Sequence, residues 1–333
     1  MRRKGVWLAA LLATALALLL FWVALVPPAP QPPSPSETGA LLPVVIDFQR
    51  PLQTLYRLQS RAVRVGWTVE SALAAGDAWA ALGDSRRALA YWEIALQQNA
   101  QPTAVLARLA NGYWEQEQWS AALVTLKRLL ASDPADRAAR LRLGTLQAIF
   151  DPQAAALTLA ESDAPSAAAL LAAAQGDAND VPRLMRVGLT LAGDDNWAMA
   201  EAAFEYAASF SPPDGLAAAY WGLARDRVGK DGAAQIAAAV ALLPANAQVH
   251  YLQGLHLRLV GDAAGSLQSL RTAAELDAEN PAYAAELSAA YEQAGNVDAA
   301  QIWLRRAVAL AEGDVRFSTL LDEFYQRFPA LKQ

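Results

Sequence analysis

His250 and His256 are the chain's two imidazoles, and it has no cysteine. Six residues apart on a helix, they fall on different faces, whereas a shared metal ion needs the i, i+4 spacing that stacks two ligands. Both are expected as partly exposed helix residues. Gly222 to Lys230 ends in Gly-Lys, but its glycines stand seven apart and Asp231 follows. A phosphate-cradling loop needs closer glycines, a Ser or Thr after the lysine, and a preceding strand. Asp194-Asp195-Asn196 and Asp177-Ala178-Asn179-Asp180 lack the spacing and the downstream bidentate Glu of a calcium loop. Short Asx side chains at turns account for both. No Gly-x-Ser-x-Gly elbow occurs. Without cysteine there is no disulfide, zinc-thiolate site or cysteine nucleophile. The residues support no catalytic site, no metal site and no cofactor. A hydrolase built on a compact carboxylate pair is the one enzymatic alternative left.

The chain is organised by repetition. Blocks start at 69, 103, 137, 181, 215, 247 and 281. The eighth position of each is small (Gly76, Ala110, Gly144, Gly188, Gly222, Gly254, Ser288), and so is the twentieth (Ala88, Ala122, Ala156, Ala200, Ala234, Ser266, Ala300). Large residues recur at the eleventh (Trp79, Tyr113, Leu191, Leu257, Tyr291) and the twenty-fourth (Trp92, Leu126, Phe204, Leu270, Leu304). Two antiparallel helices approach closely only where small side chains face the partner, and large ones fill the space beside them. Gly83, Gly229, Gly261 and Gly295 stand between the two helices of their blocks, where a left-handed residue reverses the chain. No single pair buries its apolar face; stacking does.

Over about residues 69–312 this pattern resembles the tetratricopeptide repeat family, most closely in the blocks at 103, 181 and 281. Leu106, Ala110, Tyr113, Trp119, Ala122 and Pro134 carry it in the first of these, and Gly188, Trp197, Ala200, Phe204, Ala207 and Pro212 in the second. The resemblance implies an all-α fold, a right-handed α-α superhelix. Two blocks depart from the pattern. The block at 137 is interrupted by Pro152 and extended by ten residues, among which Pro165 to Gln175 reads as an added helix. The block at 215 has Arg225 at a large position and closes early at Pro244. The array is expected to bend or divide near 151–180.

Around the array the organisation is linear. Residues 1–5 are a basic tip; 6–26 carry no charge and are long enough for one transmembrane helix. Arg2, Arg3 and Lys4 orient it with the N-terminus in the cytoplasm and the body outside. A cleaved secretory signal is the alternative. Residues 27–40 form a Pro-rich stalk, 41–68 a lead-in segment that caps the array, and 69–150 the first repeats. Residues 151–180 are an irregular helical insertion, 181–314 further repeats, and 315–333 a C-terminal capping helix. Beyond the basic tip the chain is acidic, so nucleic acid is not an expected partner.

What the resemblance implies for function is a groove lined by the first helix of each block. Carried over residue by residue, that lining includes Asn111, Trp114, Leu141, Met185, Leu189, Leu223, Arg227, Tyr251, Leu255 and Arg258. It holds no lysine, so a clamp for a peptide's C-terminal carboxylate is not expected. Its apolar character suits a protein or peptide with an apolar extended or helical segment, with Trp114 and Tyr251 as anchors. The expected function is a membrane-tethered scaffold for an envelope complex. Self-association as a homo-oligomer is the alternative.

Overall fold

The structure is a computed structural model that describes residues 49–98 and 103–332. The basic tip, the transmembrane helix, the stalk and the start of the lead-in segment lie outside the described residues. Among those described, no helix is long and apolar enough to cross a membrane. They form seventeen α-helices and a short 3-10 turn, with no strand. In chain order the helices are α1 (Gln49–Val65), α2 (Val69–Ala81), α3 (Ser85–Gln97), α4 (Thr103–Glu115), α5 (Trp119–Ser132), α6 (Arg137–Phe150) and α7 (Pro152–Ala160). Then come α8 (Pro165–Ala173), α9 (Val181–Gly193), α10 (Trp197–Ala208), α11 (Gly215–Arg227), α12 (Ala233–Leu242), α13 (Ala247–Leu259) and α14 (Ala263–Leu276). α15 (Pro281–Gln293), α16 (Val297–Leu310) and α17 (Val315–Arg327) close the chain. Each helix packs on the next, so the fold is an all-helical, tetratricopeptide-like array of antiparallel pairs.

Local sequence sets the helix starts. Asp84, Asp136, Asp151, Asn196, Asp214, Asn246, Asp262 and Asn296 each accept a hydrogen bond from a backbone N–H in the first turn of the helix that follows. A short Asx oxygen reaches an otherwise orphaned donor there. Between paired helices, position fifteen is left-handed in every block but the one at 137: Gly83, Gly229, Gly261 and Gly295 have φ of +76° to +85°. Glu117 (φ 55°) and Asp195 (φ 58°) take the same conformation without being glycine. The block at 137 has lost this turn, and Asp151 (φ −147°) alone separates α6 from α7.

The pairs are held together by one contact. A methyl group at Gly76 would overlap the Trp92 indole, and one at Gly188 would overlap the Phe204 ring. At Gly254 it would come within 2.6 Å of Leu270 Cγ. The eighth position is therefore small because the large residue sixteen positions later lies directly on it. In the two irregular blocks the contact survives at a different offset: Gly144 sits under Leu159 and Gly222 under Ile236, fifteen and fourteen positions on. That shift overturns two of the small positions read from the sequence. Ala156 and Ala234 are exposed; Ala155 is buried in the one block, and Gly232 lies against Gly222 in the other.

The array does not divide at 151–180. One continuous core runs from Leu106 through Ala155, Leu159, Ala167 and Leu170 to Phe204 and Ala224, and α6 packs on α8, α9 and α10 as well as α7. The added helix α8 packs on α6, α7 and α9 and places Ala167 and Leu170 in that core.

Gly188→Ala tests the contact. It should cost about 1–3 kcal/mol through overpacking against Phe204, read from the urea midpoint of helical circular dichroism. Gly193→Ala, where added bulk meets open space, should leave the midpoint unchanged or raise it slightly.

Candidate partner-binding face

Successive first helices are joined by a ladder of polar pairs. Arg108 donates to both carboxylate oxygens of Asp77 at 2.6 and 2.9 Å, while Trp92 Nε1 donates to Asp77 at 3.1 Å. The hydrogen bond to Asp77 holds the Arg108 guanidinium above its ordinary value. Arg142 donates to Asn111 Oδ1 and lies over the Trp114 ring, 5.4 Å from its centroid. Gln248 donates to the Tyr220 hydroxyl at 2.6 Å, and Arg258 to Glu286 at 2.8 Å. His256, against expectation, is buried; its Nδ1 lies 2.6 Å from Asp226 Oδ2, and the same carboxylate's Oδ1 accepts from Gly232 N–H. The reason is its place on α13 where that helix meets α11 directly. His250 is half-buried, with Nε2 2.8 Å from the Pro244 carbonyl.

The residues expected to line a groove fall into two groups. Asn111 and Arg258 are rungs of the ladder, and Tyr251 packs on Tyr283 with ring centroids 5.2 Å apart. Leu223 is in the core, beside Ala219 and Leu252 and 8% exposed. It does not line a surface, because α12 is short and α11 packs straight onto α13. Leu255 is half-buried against the same cluster. The second group is accessible. Trp114, Leu141 and Met185 are half-buried and pack over one core, and Leu189, next along from Met185, is 45% exposed. Trp114 meets Trp119 edge-on, at 5.6 Å. Arg227 is exposed, 4.7 Å from the centroid of the Trp197 ring. Trp197, Asp195, Asp226, Arg227, Val228 and Leu259 bound an open cleft of about 570 Å³ at the hairpin turns.

Two features escape sequence reasoning. Arg183 is wholly buried with no carboxylate in contact. Its guanidinium donates to the carbonyls of Ala148, Ile149, Asp177 and Ala178, with the last three at 2.9 Å. It thereby satisfies the C-terminal carbonyls of α6, where positive charge is also favoured, and ties the insertion to the array. Burial pushes its pKa down, against the opposing charge of Asp180. No sequence signal marks such a residue, since its partners are backbone carbonyls, which every residue carries whatever its side chain. The second feature is an ionic bridge across 113 residues. Lys230 donates to Glu117 at 2.5 Å and to the buried Glu201 at 2.7 Å, with Arg225 3.4 Å from Glu201. Burial works against the Lys230 ammonium, but its two carboxylate hydrogen bonds outweigh that and raise its pKa. Glu117 stands at the left-handed turn position where four other blocks carry glycine; that departure was visible in the sequence.

No protein-family model and no curated protein matches the chain. Solved structures do. MamA of Desulfovibrio magneticus RS-1, from residue 41 to its end, is 20% identical, with 54% of this chain and 98% of that one covered at a TM-score of 0.35. A tetratricopeptide repeat protein from Parabacteroides merdae ATCC 43184 is 12% identical, with 82% and 99% covered at 0.41. A thermophilic repeat protein of Thermus thermophilus is 19% identical, with 78% and 99% covered at 0.30. The description of this chain as tetratricopeptide-like therefore stands on its own helix pairs and their spacing.

Arg183→Met should lower stability by about 3 kcal/mol or more, because several buried carbonyls lose their donor at once, with Arg183→Lys falling between it and the parent in urea unfolding. A second expectation concerns pH. Burial, with the Glu286 charge adding to it, pushes the Tyr251 hydroxyl up to about 12. In the unfolded chain a tyrosine ionises near 10. The stability held by the neutral hydroxyl is thus complete below about pH 10 and is lost as pH rises towards 12. Tyr251→Phe should flatten that part of a stability–pH profile while leaving pH 7 stability nearly unchanged.

Proposed function

We propose that this protein is a scaffold, tethered by residues 6–26, that holds a partner protein across the first helices of its middle blocks and helps assemble an envelope complex. The reading is carried by one observation: Trp114, Leu141 and Met185, on α4, α6 and α9, are half-buried on one shared core, and Leu189 stands exposed one turn beyond Met185. Accessible apolar and aromatic side chains on a preorganised surface are what an apolar segment of a partner would use. The polar ladder serves the same end by fixing adjacent first helices, so that a partner meets a surface already ordered. Asn111 and Arg142, polar residues described beside this face, are paired with each other, which favours shape and apolar contact over recognition of a charged terminus.

A photo-crosslinking residue at 189, with a second at 114, tests this in native membranes. Capture of one and the same protein from both positions is the expected result. Adducts formed solely between copies of the chain would replace the reading with self-association, and adducts from neither position would remove this face as a binding surface. Trp114→Ala should reduce recovery of the captured protein at least tenfold without loss of helicity.

A further inference from the structure

Charge is unevenly distributed along this chain. α1 carries Arg50, Arg57, Arg61 and Arg64 and no carboxylate, whereas residues 66–333 carry 20 basic against 31 acidic side chains, a net −11. The four arginines follow i, i+7, i+11 and i+14, a single stripe at 3.6 residues per turn, and all four are exposed. Arg57, Arg61 and Arg64 make no ion pair among the described residues. α1 contacts the array through Leu55, which is buried, with Leu58 packed beside it against Ala75 and Ala78 of α2. Leu52, Tyr56 and Val63 follow i, i+4 and i+11, a second stripe, and are 53%, 75% and 89% exposed. A helix that only capped the array would need a polar outer face but not the exposed apolar stripe.

We propose that α1 docks on an anionic lipid surface, with Leu52, Tyr56 and Val63 in the headgroup region and Arg57, Arg61 and Arg64 on lipid phosphates. Three observations commit the stripes to lipid over protein. The apolar and basic stripes flank the same exposed side of one helix, the arrangement by which a helix lies in an interface. Arginine stems are long enough to reach phosphates from a helix whose apolar edge is submerged. The chain's uncharged 21-residue run ends at residue 26, so α1 is the first helix of the array to follow it. The acidic remainder of the array is repelled by the same surface, which orients the array with α1 towards the bilayer and the accessible face of α4, α6 and α9 clear of anionic headgroups. The proposal rests on the tether reading only for how α1 reaches a bilayer.

The test uses the full chain in vesicles. Because the sequence has no cysteine, Val63→Cys can be labelled with an environment-sensitive fluorophore, and Ile302→Cys, 65% exposed on α16, serves as the distant control. In phosphatidylcholine vesicles containing phosphatidylglycerol the probe at 63 should shift to the blue and be quenched by spin-labelled lipid, while the probe at 302 stays in water. Both effects should fade in pure phosphatidylcholine and at high salt. With Arg57, Arg61 and Arg64 all replaced by Gln, the docked-to-free ratio should fall roughly a hundredfold. A probe at 63 that stays in water on anionic vesicles overturns the proposal. So does one equally shielded in pure phosphatidylcholine at high salt yet unquenched by spin-labelled lipid, which would mean that protein covers the stripe. Release of the chain by alkaline carbonate would instead sink the tether, and the quenching still reports on α1 alone.

Discussion

A side chain of one helix resting on a bare backbone of its partner is the contact from which the rest of this molecule follows. With nothing at the eighth position but hydrogen or a small group, the second helix drops close enough for Trp92, Phe204 or Leu270 to close the pair. Close-packed interiors leave no slack to absorb an added methylene, so this contact fixes the separation of the helices. The separation sets the turn that can join them, and the turn demands a left-handed residue. Spacing of small residues, turn chemistry and helix length are three readings of one steric fact.

That hierarchy explains how much was legible. The all-helical pairs and the left-handed glycines could be read directly, because each depends on residues near in sequence and recurring in register. The two irregular blocks were recognised as irregular but misregistered, since the close contact had moved from sixteen positions to fifteen and fourteen. Ala156 and Ala234 looked equivalent to Ala122 by counting, yet the helices meet at Ala155 and Gly232. The expected division at 151–180 rested on a broken pattern. The structure mends the break with α8 and with an arginine whose partners are carbonyls, neither of which a repeat alignment weighs.

The candidate binding face was legible only as a set of positions. Counting along first helices finds every residue that could point one way, without saying which are already engaged by the next block. Asn111, Arg258 and Tyr251 are engaged, Leu223 is buried, and Trp114 is half-covered by Arg142 and Trp119, while Leu141, Met185 and Leu189 have no such partner from the next block and keep exposed surface. Side-chain pairing between blocks depends on the offset between neighbouring helices, which local sequence does not state. The ladder exchanges potential contacts to a partner for order in the surface that remains. Holding long polar side chains in fixed pairs removes freedom that binding would otherwise have to freeze.

The bridge from Lys230 to Glu117 bears on how the protein comes apart. In a stack where each repeat touches only its neighbours, unfolding can fray inwards from either end, one unit after another. Here a lysine of the fifth block grips a turn of the second, and the blocks between share one core. Opening any one of them exposes the common core and releases an ion pair that closes a loop of more than a hundred residues. The stretch from α4 to α11 is thus set to unfold as a single cooperative body, with the outer pairs fraying around it. A polymer of modules has in its middle the thermodynamics of a globule.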